Sequence, residues 1–376
     1  MDSAIQNQYV PDHVVPPGEI LLETLQERGM SQAELAERTG RRKKTVNEII
    51  QGKAAITSET ALQLEKVLDI PSSFWVNRQR NYDEFIARVE DRVRIEKYLD
   101  WIDNFSITKM TQMGWINKYN DKIDQTLELL RFFGVASPDQ WDLVTNSTIA
   151  SFKLAKTFDS AVEDIAAWLR KGELIGQNIY CEPYDQQAFT DILHNEIRSL
   201  TLKSPSEFQP RLIYICASVG VAVAFVPQLP NAKVSGVTRW LSPDKALIQL
   251  SLRYKSDDQL WFTFFHEAAH IIIHGKRDIY LESINRKLDT EEKENEASKF
   301  AADILIPPLA LSNFLQIIPQ NKYPSQQHII KFSKEIGIAP SIIVGRLQHD
   351  KLPAANPLPY SHYHDLKEKL DWVNNN

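Results

Sequence analysis

The chain has 376 residues, of which 24% are charged and 43% hydrophobic, a composition that excludes an intrinsically disordered protein. At roughly 150 residues per domain, this length predicts about two to three domains. The formal net charge of −6 excludes a polycation that coats nucleic acid or anionic lipid, so any nucleic-acid site must be a local basic patch.

Several classes of protein are excluded by what the sequence lacks. The N-terminus has no secretory-signal pattern, and the longest near-apolar stretch, Ile215 to Val226, is shorter than the roughly 20 residues that a spanning helix needs. Cys181 and Cys216 have no CxxC spacing, so we expect a reduced, cytoplasmic protein with no membrane partner. The absence of G-x-G-x-x-G, Walker A and G-x-S-x-G motifs argues against Rossmann, P-loop and α/β-hydrolase enzymes.

Three short helices are predicted near the N-terminus. The second begins with Ser31, whose hydroxyl can accept from the amide of Glu34 while the Glu34 side chain reaches back, which makes a capping box. After a turn at Gly40, residues 41–51 form an amphipathic third helix. Two short helices around a tight glycine turn are typical of a helix-turn-helix, whose second helix enters the major groove of DNA.

The third helix and the turn after it form a local basic patch. Five basic residues and one acidic residue give a local charge of +4. The basic residues are Arg41, Arg42, Lys43, Lys44 and Lys53, and the polar side chains best placed to reach phosphates or base edges are Gln32, Thr45 and Asn47. On charge alone, a solvated face of an all-α domain remains the alternative.

The residue order in this region resembles the XRE/Cro-like family. The matching pieces are Ser31-Gln32-x-x-Leu35-Ala36, then Gly40, then Thr45 to Lys53. The continuation from Ile56 through Phe74-Trp75 to Asn81-Tyr82 is similar to HigA-type antitoxins, over about residues 14–85. The resemblance implies binding to a double-stranded DNA operator. Arg42 stands where many relatives carry a Ser or Thr cap, which leaves the start of the recognition helix open.

Residues 91–200 are predicted to be a helical connector without chemistry of its own. Helices are predicted from Asp121 to Phe133, from Ser137-Pro138 onward, and from Asp159 to Leu169. Four tryptophans in this region are predicted core anchors: Trp101, Trp115, Trp141 and Trp168. The connector could position the two ends of the chain or bind a partner.

A predicted helix over residues 260–275 is apolar nearly all round, with Asp257 or Asp258 capping its start and Gly275 its end. Burying histidines and a glutamate there costs several kcal/mol unless they are paired or bound to a metal. His266 and His270 are four residues apart, so both can hold one ion, and Glu267 can act as a general base. A coincidental, hydrogen-bonded core motif is the alternative.

A second helix, from Thr290 to Asp303, provides the candidate third ligand. Glu294, Ala297 and Ala301 share one face of this helix, whereas Glu296 lies about 200° away around it. Small residues on that face allow a close approach, so Glu294 can point at the two histidines. Two histidines, one glutamate and an open position form a catalytic and not a structural zinc site.

This half of the chain resembles the ImmA/IrrE metallopeptidases over about residues 200–350. The matching pieces are Ser235-Gly236, Phe264 to His274 with the pattern H-E-x-x-H, Glu294 to Ala301, and Ile306-Pro307. The resemblance implies that His266, His270 and Glu294 are Zn²⁺ ligands and that Glu267 is the catalytic base. His274 is expected to support a ligand or cap the helix end, because one turn further on it points past the ion.

Short strands are predicted around the motif at Val221 to Val226 and Ala246 to Ser251, with Gly236 to Trp240 between them. A small sheet beside the active helix would let an extended peptide add as an extra strand.

Taken together, the sequence predicts a mainly α, multidomain protein. Its parts are an all-α helix-turn-helix domain (1–90), a helical connector (91–200), an α+β metallopeptidase domain with a small sheet (201–350) and a C-terminal tail (351–376). We expect a DNA-binding regulator with a zinc endopeptidase domain that cleaves a transcriptional regulator or a toxin–antitoxin component. The alternatives are a non-catalytic repressor with a structural or sensory zinc domain, and an antitoxin that binds a toxin through the connector. Homodimer formation is left open.

Overall fold

The computed structural model describes residues 14–145, 162–274, 286–318, 323–353, 358–359 and 361–370, with only the backbone described for 286–290. The chain divides into two compact units, Met1–Leu99 and Asp100–Asn376. The predicted connector, 91–200, therefore has residues in both units. Among the described residues, no helix is long and apolar enough to cross a membrane.

Within residues 14–99, the first unit contains helices and turns but no strand. The helices are α1 (Pro17–Glu27), α2 (Gln32–Thr39), α3 (Lys43–Ile50), α4 (Ser58–Leu68) and α5 (Ser72–Ile95), followed by a 3₁₀ turn, Glu96–Tyr98. Their apolar faces meet in one core, whose large buried side chains include Leu21, Leu25, Leu35, Val46, Ile49, Leu64, Leu68 and Trp75. The helix-turn-helix predicted from the sequence is thus formed by α2 and α3.

Two details of this unit differ from the sequence prediction. Ser31 caps α2 by accepting from the Glu34 amide at 3.1 Å, but the Glu34 carboxylate pairs with Arg38 and does not complete the capping box. The i,i+4 ion pair on the helix surface competes successfully with the reach back to the cap. Helix α3 begins at Lys43, two residues later than predicted, and its cap residue Arg42 makes no capping hydrogen bond.

The second unit begins with a series of helices, and its sheet follows them in the chain. The helices are α6 (Ile107–Gln112), α7 (Lys122–Phe133), α8 (138–145), α9 (Val162–Asn178), α10 (Gln186–Asn195) and α11 (Pro205–Ala217), with 3₁₀ turns at Trp101–Asn104 and Ile197–Leu202. Helix α7 ends at Gly134 as predicted. The predicted start of the third connector helix, 159–161, lies outside the described residues.

The four connector tryptophans contribute to the core of the second unit. Trp168 is fully buried, and its indole N–H donates to the carbonyl of Val226 at 3.0 Å. Trp141 is buried, while Trp101 and Trp115 pack half-buried against the same cluster. These contacts attach the connector helices directly to the sheet, so residues after Leu99 share a core with the peptidase-like region.

The sheet has three strands in the order β1-β3-β2: β1 (Val221–Phe225), β2 (Gly236–Ser242) and β3 (Lys245–Leu250). Strand β1 pairs with β3 in parallel, and β2 pairs with β3 antiparallel. All three strands were predicted from the sequence. Strand β2 is an edge strand, so one side of its backbone pairs with no other strand of the described chain.

The remaining helices are α12 (Asp257–Ala269), one π turn (His270–His274), α13 (Arg286–Leu305), α14 (Pro308–Gln316), α15 (Gln326–Ile336) and α16 (Pro340–His349), before a 3₁₀ turn at His364–Leu366. Helix α13 begins at Arg286 and not at the predicted Thr290. The predicted cap Gly275 lies outside the described residues.

The start of α12 also differs from the prediction. Ser256 is its N-cap residue, and Asp257 and Asp258 lie in the first turn. Both carboxylates are buried and bind the C-terminal segment: Asp257 accepts from the amide of Glu368 at 3.1 Å, and Asp258 pairs with Lys367 at 2.7 Å. Because both carboxylates bind the C-terminal segment, neither caps the helix. These contacts join distant parts of the chain, so the local sequence pattern could not predict them.

Candidate metal centre and DNA interface

Three predicted ligands converge where α12 packs on α13. The Nε2 atom of His266 lies 3.1 Å from Nε2 of His270 and 3.2 Å from Oε2 of Glu294. Nε2 of His270 lies 3.5 Å from the other Glu294 oxygen. The three ligand atoms all lie within 4.8 Å of one another. The i,i+4 spacing of His266, in α12, and His270, in the π turn that directly follows, places both rings on one face, and the buried Ala297 and Ala301 let α13 approach it.

The chemistry of this donor set fits a divalent cation. The Nε2 atoms of His266 and His270 face each other 3.1 Å apart, and the Glu294 carboxylate faces both. Burial lowers the pKa of His270, which favours the neutral ring that a metal ion requires. Two histidines and one carboxylate are the three-ligand set of catalytic zinc sites.

Glu267 is buried beside the donor set and below the edge strand. Only 3% of its surface is exposed, and the Thr238 hydroxyl donates to its backbone carbonyl at 2.9 Å. A Cβ atom placed on Gly236 would lie 3.0 Å from Cγ and 3.2 Å from Oε1 of Glu267, and 2.5 Å from Cγ2 of Thr263. The absence of a side chain at Gly236 therefore lets β2 approach the carboxylate.

Two further residues lie where the sequence prediction placed them. Nε2 of His274 lies 3.3 Å from the carbonyl of Lys293, outside the group of convergent ligand atoms. Its ring packs against His270, with centroids 5.2 Å apart. His274 thus contacts the residue that precedes Glu294, whereas Glu296 is exposed on α13.

One residue that contacts the site, Ser298, was not predicted from the sequence. Ser298 lies one turn after Glu294 on α13, and its Oγ is 3.3 Å from Nδ1 of His266. The i,i+4 spacing from Glu294 was the available signal, since it places both side chains on the same side of the helix.

Most of the predicted DNA contacts lie on the accessible side of the helix-turn-helix. Arg42, Lys43, Lys44 and Lys53 are exposed, while Gln32, Thr45 and Asn47 are half-buried. Asn47 accepts from Gln51 at 3.3 Å, and Lys44 lies 3.7 Å from Glu48. Such surface contacts are weak enough to exchange for a nucleic-acid partner.

Arg41 differs from the other predicted contacts. Its side chain is only 20% exposed, and its guanidinium donates to Gln63 at 2.5 Å and lies 3.5 Å from Glu59. Both partners belong to α4. Arg41 therefore connects the turn before α3 to the next helix, and the first exposed cation of the basic patch is Arg42.

Two family models match the chain. Residues 21–75 match the helix-turn-helix model, which covers α1 to α4 and the start of α5. Residues 216–336 match the IrrE N-terminal-like domain of peptidase family M78, which covers the sheet, α12 and α13. No curated protein matches the chain.

Solved structures match the N-terminal part. An addiction-module antidote protein of the HigA family from Coxiella burnetii is 37% identical over 22% of this chain and 91% of its own, with a TM-score of 0.21. A Pseudomonas aeruginosa protein in complex with its 18-base-pair operator DNA is 32% identical over 23% of this chain and 92% of its own, with a TM-score of 0.22. The chain thus carries a helix-turn-helix domain in its first unit and an IrrE N-terminal-like domain of peptidase family M78 in its second unit.

Proposed function

We propose that the protein is a DNA-binding regulator whose second unit is a zinc-dependent endopeptidase. The observation that carries this proposal is the convergence of His266, His270 and Glu294 with the buried Glu267 beside an edge strand. A structural zinc site has no need of a carboxylate in the position of Glu267. The proposed substrate is a protein, either a transcriptional regulator or a toxin–antitoxin component.

His266, His270 and Glu294 would hold the metal ion. When bound, zinc would supply a Lewis acid that polarises the carbonyl of the bond to be cleaved. Glu267 would accept a proton from the attacking water and return it to the leaving amine, which is the role of a general base followed by a general acid. Gly236 lies close to its carboxylate, and the Thr238 hydroxyl donates to its backbone carbonyl, so the residue is held next to β2.

The free edge of β2 is the proposed binding surface for the substrate backbone. The backbone N–H of Ser251 donates to the carbonyl of Ser235 at 2.8 Å. Because hydrogen-bonded and non-hydrogen-bonded pairs alternate along an antiparallel pair of strands, the N–H and C=O groups of Gly236 and Thr238 point away from β3. An extended peptide that pairs with these groups would pass the Glu267 carboxylate. Main-chain pairing of this kind selects an extended conformation, and any sequence preference would come from contacts with the side chains of the peptide.

The first unit is proposed to bind a double-stranded DNA operator through α3. Lys43 and Lys44 are exposed in the first turn of α3, beside Arg42, and Lys53 follows the helix. Positive side chains at these places would contact phosphates, and Asn47 in the middle of the helix would contact a base edge.

A non-catalytic repressor is the second candidate, and the helix-turn-helix match favours it equally. The decisive experiment incubates the purified full chain with a defined library of protein-derived peptides, with zinc and with a chelator, and identifies the products by mass spectrometry. Internal cleavage that depends on zinc supports the peptidase. Zinc binding without any cleavage would instead support the repressor with a structural or sensory metal.

A further inference from the structure

The two ring nitrogens of His266 face different partners. Nε2 points into the ligand group, 3.1 Å from His270 and 3.2 Å from Glu294. Nδ1 lies on the other side of the ring, 3.3 Å from the hydroxyl of Ser298. Ser298 is half-buried on α13, so its hydroxyl lies at the packed surface between α12 and α13.

A neutral histidine that binds a cation through one ring nitrogen carries its proton on the other ring nitrogen. A neutral imidazole carries a single proton, and the nitrogen that binds a metal offers its lone pair. If Nε2 of His266 binds the ion, the proton belongs on Nδ1 and needs an acceptor. The Ser298 oxygen is placed to accept it. Such an acceptor fixes both the tautomer and the orientation of the ring.

We propose that Ser298 is a positioning residue of the metal site, which acts by accepting the Nδ1–H of His266. This inference rests on the proposed metal binding by His266, His270 and Glu294. It gives α13 two functions at the site, since Glu294 provides a ligand and Ser298, one turn later, orients a ligand of the neighbouring helix.

A purely structural role is the competing explanation for Ser298. Ala297 and Ala301, which are both fully buried, already allow α13 to pack closely on α12. The two roles differ in what they require. Packing requires a side chain of the right size, whereas positioning requires a hydroxyl oxygen. Threonine and valine have nearly the same shape and differ in that oxygen, so they form a matched pair of substitutions.

The test is zinc affinity, measured on the full chain by competition with a chromophoric chelator. Ser298→Ala and Ser298→Val should bind zinc about 10-fold to 100-fold more weakly than wild type, the usual effect of losing an outer partner of a ligand. Ser298→Thr should keep most of the affinity. Lys299→Ala is the control, since Lys299 is the next residue on α13 and is exposed.

A spectroscopic measurement reports the same hydrogen bond directly. In protein loaded with cobalt in place of zinc, the ring N–H protons of histidine ligands give shifted, exchangeable proton resonances. One of these resonances should be lost in Ser298→Val, because the unprotected N–H proton exchanges rapidly with water. The same resonance should persist in Ser298→Thr. Equal zinc affinities for the Thr and Val variants, or a Val variant within twofold of wild type, would overturn the proposal. A wild-type chain that binds no zinc would overturn the metal assignment itself, and the wild-type titration shows this separately.

Discussion

At the scale of single residues, helix geometry separates two glutamates that are only two positions apart. Glu294 faces His266 and His270 with both carboxylate oxygens, whereas Glu296 is exposed on another side of α13. We expect Glu294→Ala to lose zinc, because a three-ligand site cannot spare a charged ligand. Glu296→Ala should retain about one zinc per chain. Metal analysis of both variants, purified without chelator, checks this expectation.

The Glu296→Ala variant is also the matched control, since it removes the same side chain from the same helix. His266→Ala should behave like Glu294→Ala. A wild-type zinc content far below one equivalent, with none recovered on adding zinc, would show that the site does not hold this metal. Zinc loss in Glu296→Ala alone would move the third ligand to that residue.

The convergence of the three candidate ligands was predictable because their signal is local. An i,i+4 pair of histidines in an apolar helix, and a glutamate on the face of a helix with buried alanines, follow from spacing alone. The contact of Ser298 with His266 depends on how α12 and α13 cross, which no local pattern specifies. The same reason explains Arg41, which the charge pattern assigned to DNA but which contacts Gln63 on α4.

At the scale of elements, α3 carries two kinds of side chain that would contact DNA differently. Its lysines would contact phosphates, and Asn47 would contact a base edge. Lys43→Ala and Lys44→Ala should each weaken binding about equally on all DNA sequences and reduce the slope of log affinity against log salt by about one. Asn47→Ala should instead relax base preference at one position. Binding to duplexes selected from a random pool by the wild type, and to an unrelated duplex, measures both effects.

Arg41→Ala is the informative comparison for these lysines. Its guanidinium binds Gln63 and Glu59 on α4. The loss of Arg41 should therefore lower the thermal stability of the first unit and leave the salt dependence of DNA binding nearly unchanged. If the triple change of Arg42, Lys43 and Lys44 to alanine preserves the salt slope of the wild type, α3 is not the element that contacts DNA.

The strands and helix ends show where element prediction succeeds and where it stops. Short apolar runs located β1 and β3, and glycine located the end of α7. The start of α12 could not be located in this way. Asp257 and Asp258 have the composition of cap residues, yet their partners, Lys367 and Glu368, lie more than a hundred positions further along the chain.

At the scale of the whole molecule, the burial of Asp257 at the start of α12 makes the stability of the second unit depend on pH. Burial raises the pKa of Asp257 to about 6, although the Ser341 hydroxyl and the Glu368 amide donate to it. The folded protein therefore keeps a proton between about pH 4 and 6 that the unfolded chain releases. The free energy of unfolding then falls as pH rises through this range.

Asp257→Asn should remove that dependence, because an amide does not titrate. Relative to wild type, the variant should gain up to about 3 kcal/mol in free energy of unfolding between pH 4 and pH 7, at about 1.4 kcal/mol per pKa unit. Urea unfolding at several pH values measures the difference. Glu368→Gln, an exposed change on the same segment, is the control. Parallel pH profiles for wild type and Asp257→Asn would show that Asp257 is already ionised in the folded state.

The two units of the chain allow one substitution to separate catalysis from DNA binding. Glu267→Gln keeps the size of the side chain and removes only its ability to accept a proton. Because Glu267 is not among the convergent ligand atoms, zinc content and folding should stay those of the wild type. Loss of a general base lowers rates by about a hundredfold to ten-thousandfold, so cleavage of any peptide substrate found for the wild type should collapse.

DNA binding provides the internal control for that variant, since the basic patch from Arg42 to Lys53 belongs to the first unit and Glu267 to the second. The affinity of Glu267→Gln for DNA should therefore equal that of the wild type, measured on the same preparation as the cleavage assay. Loss of both activities would indicate a folding defect. If Glu267→Gln cleaves peptides and regulates transcription in cells as the wild type does, the buried carboxylate is not a catalytic base, and the metal site serves the repressor as a structural or sensory centre.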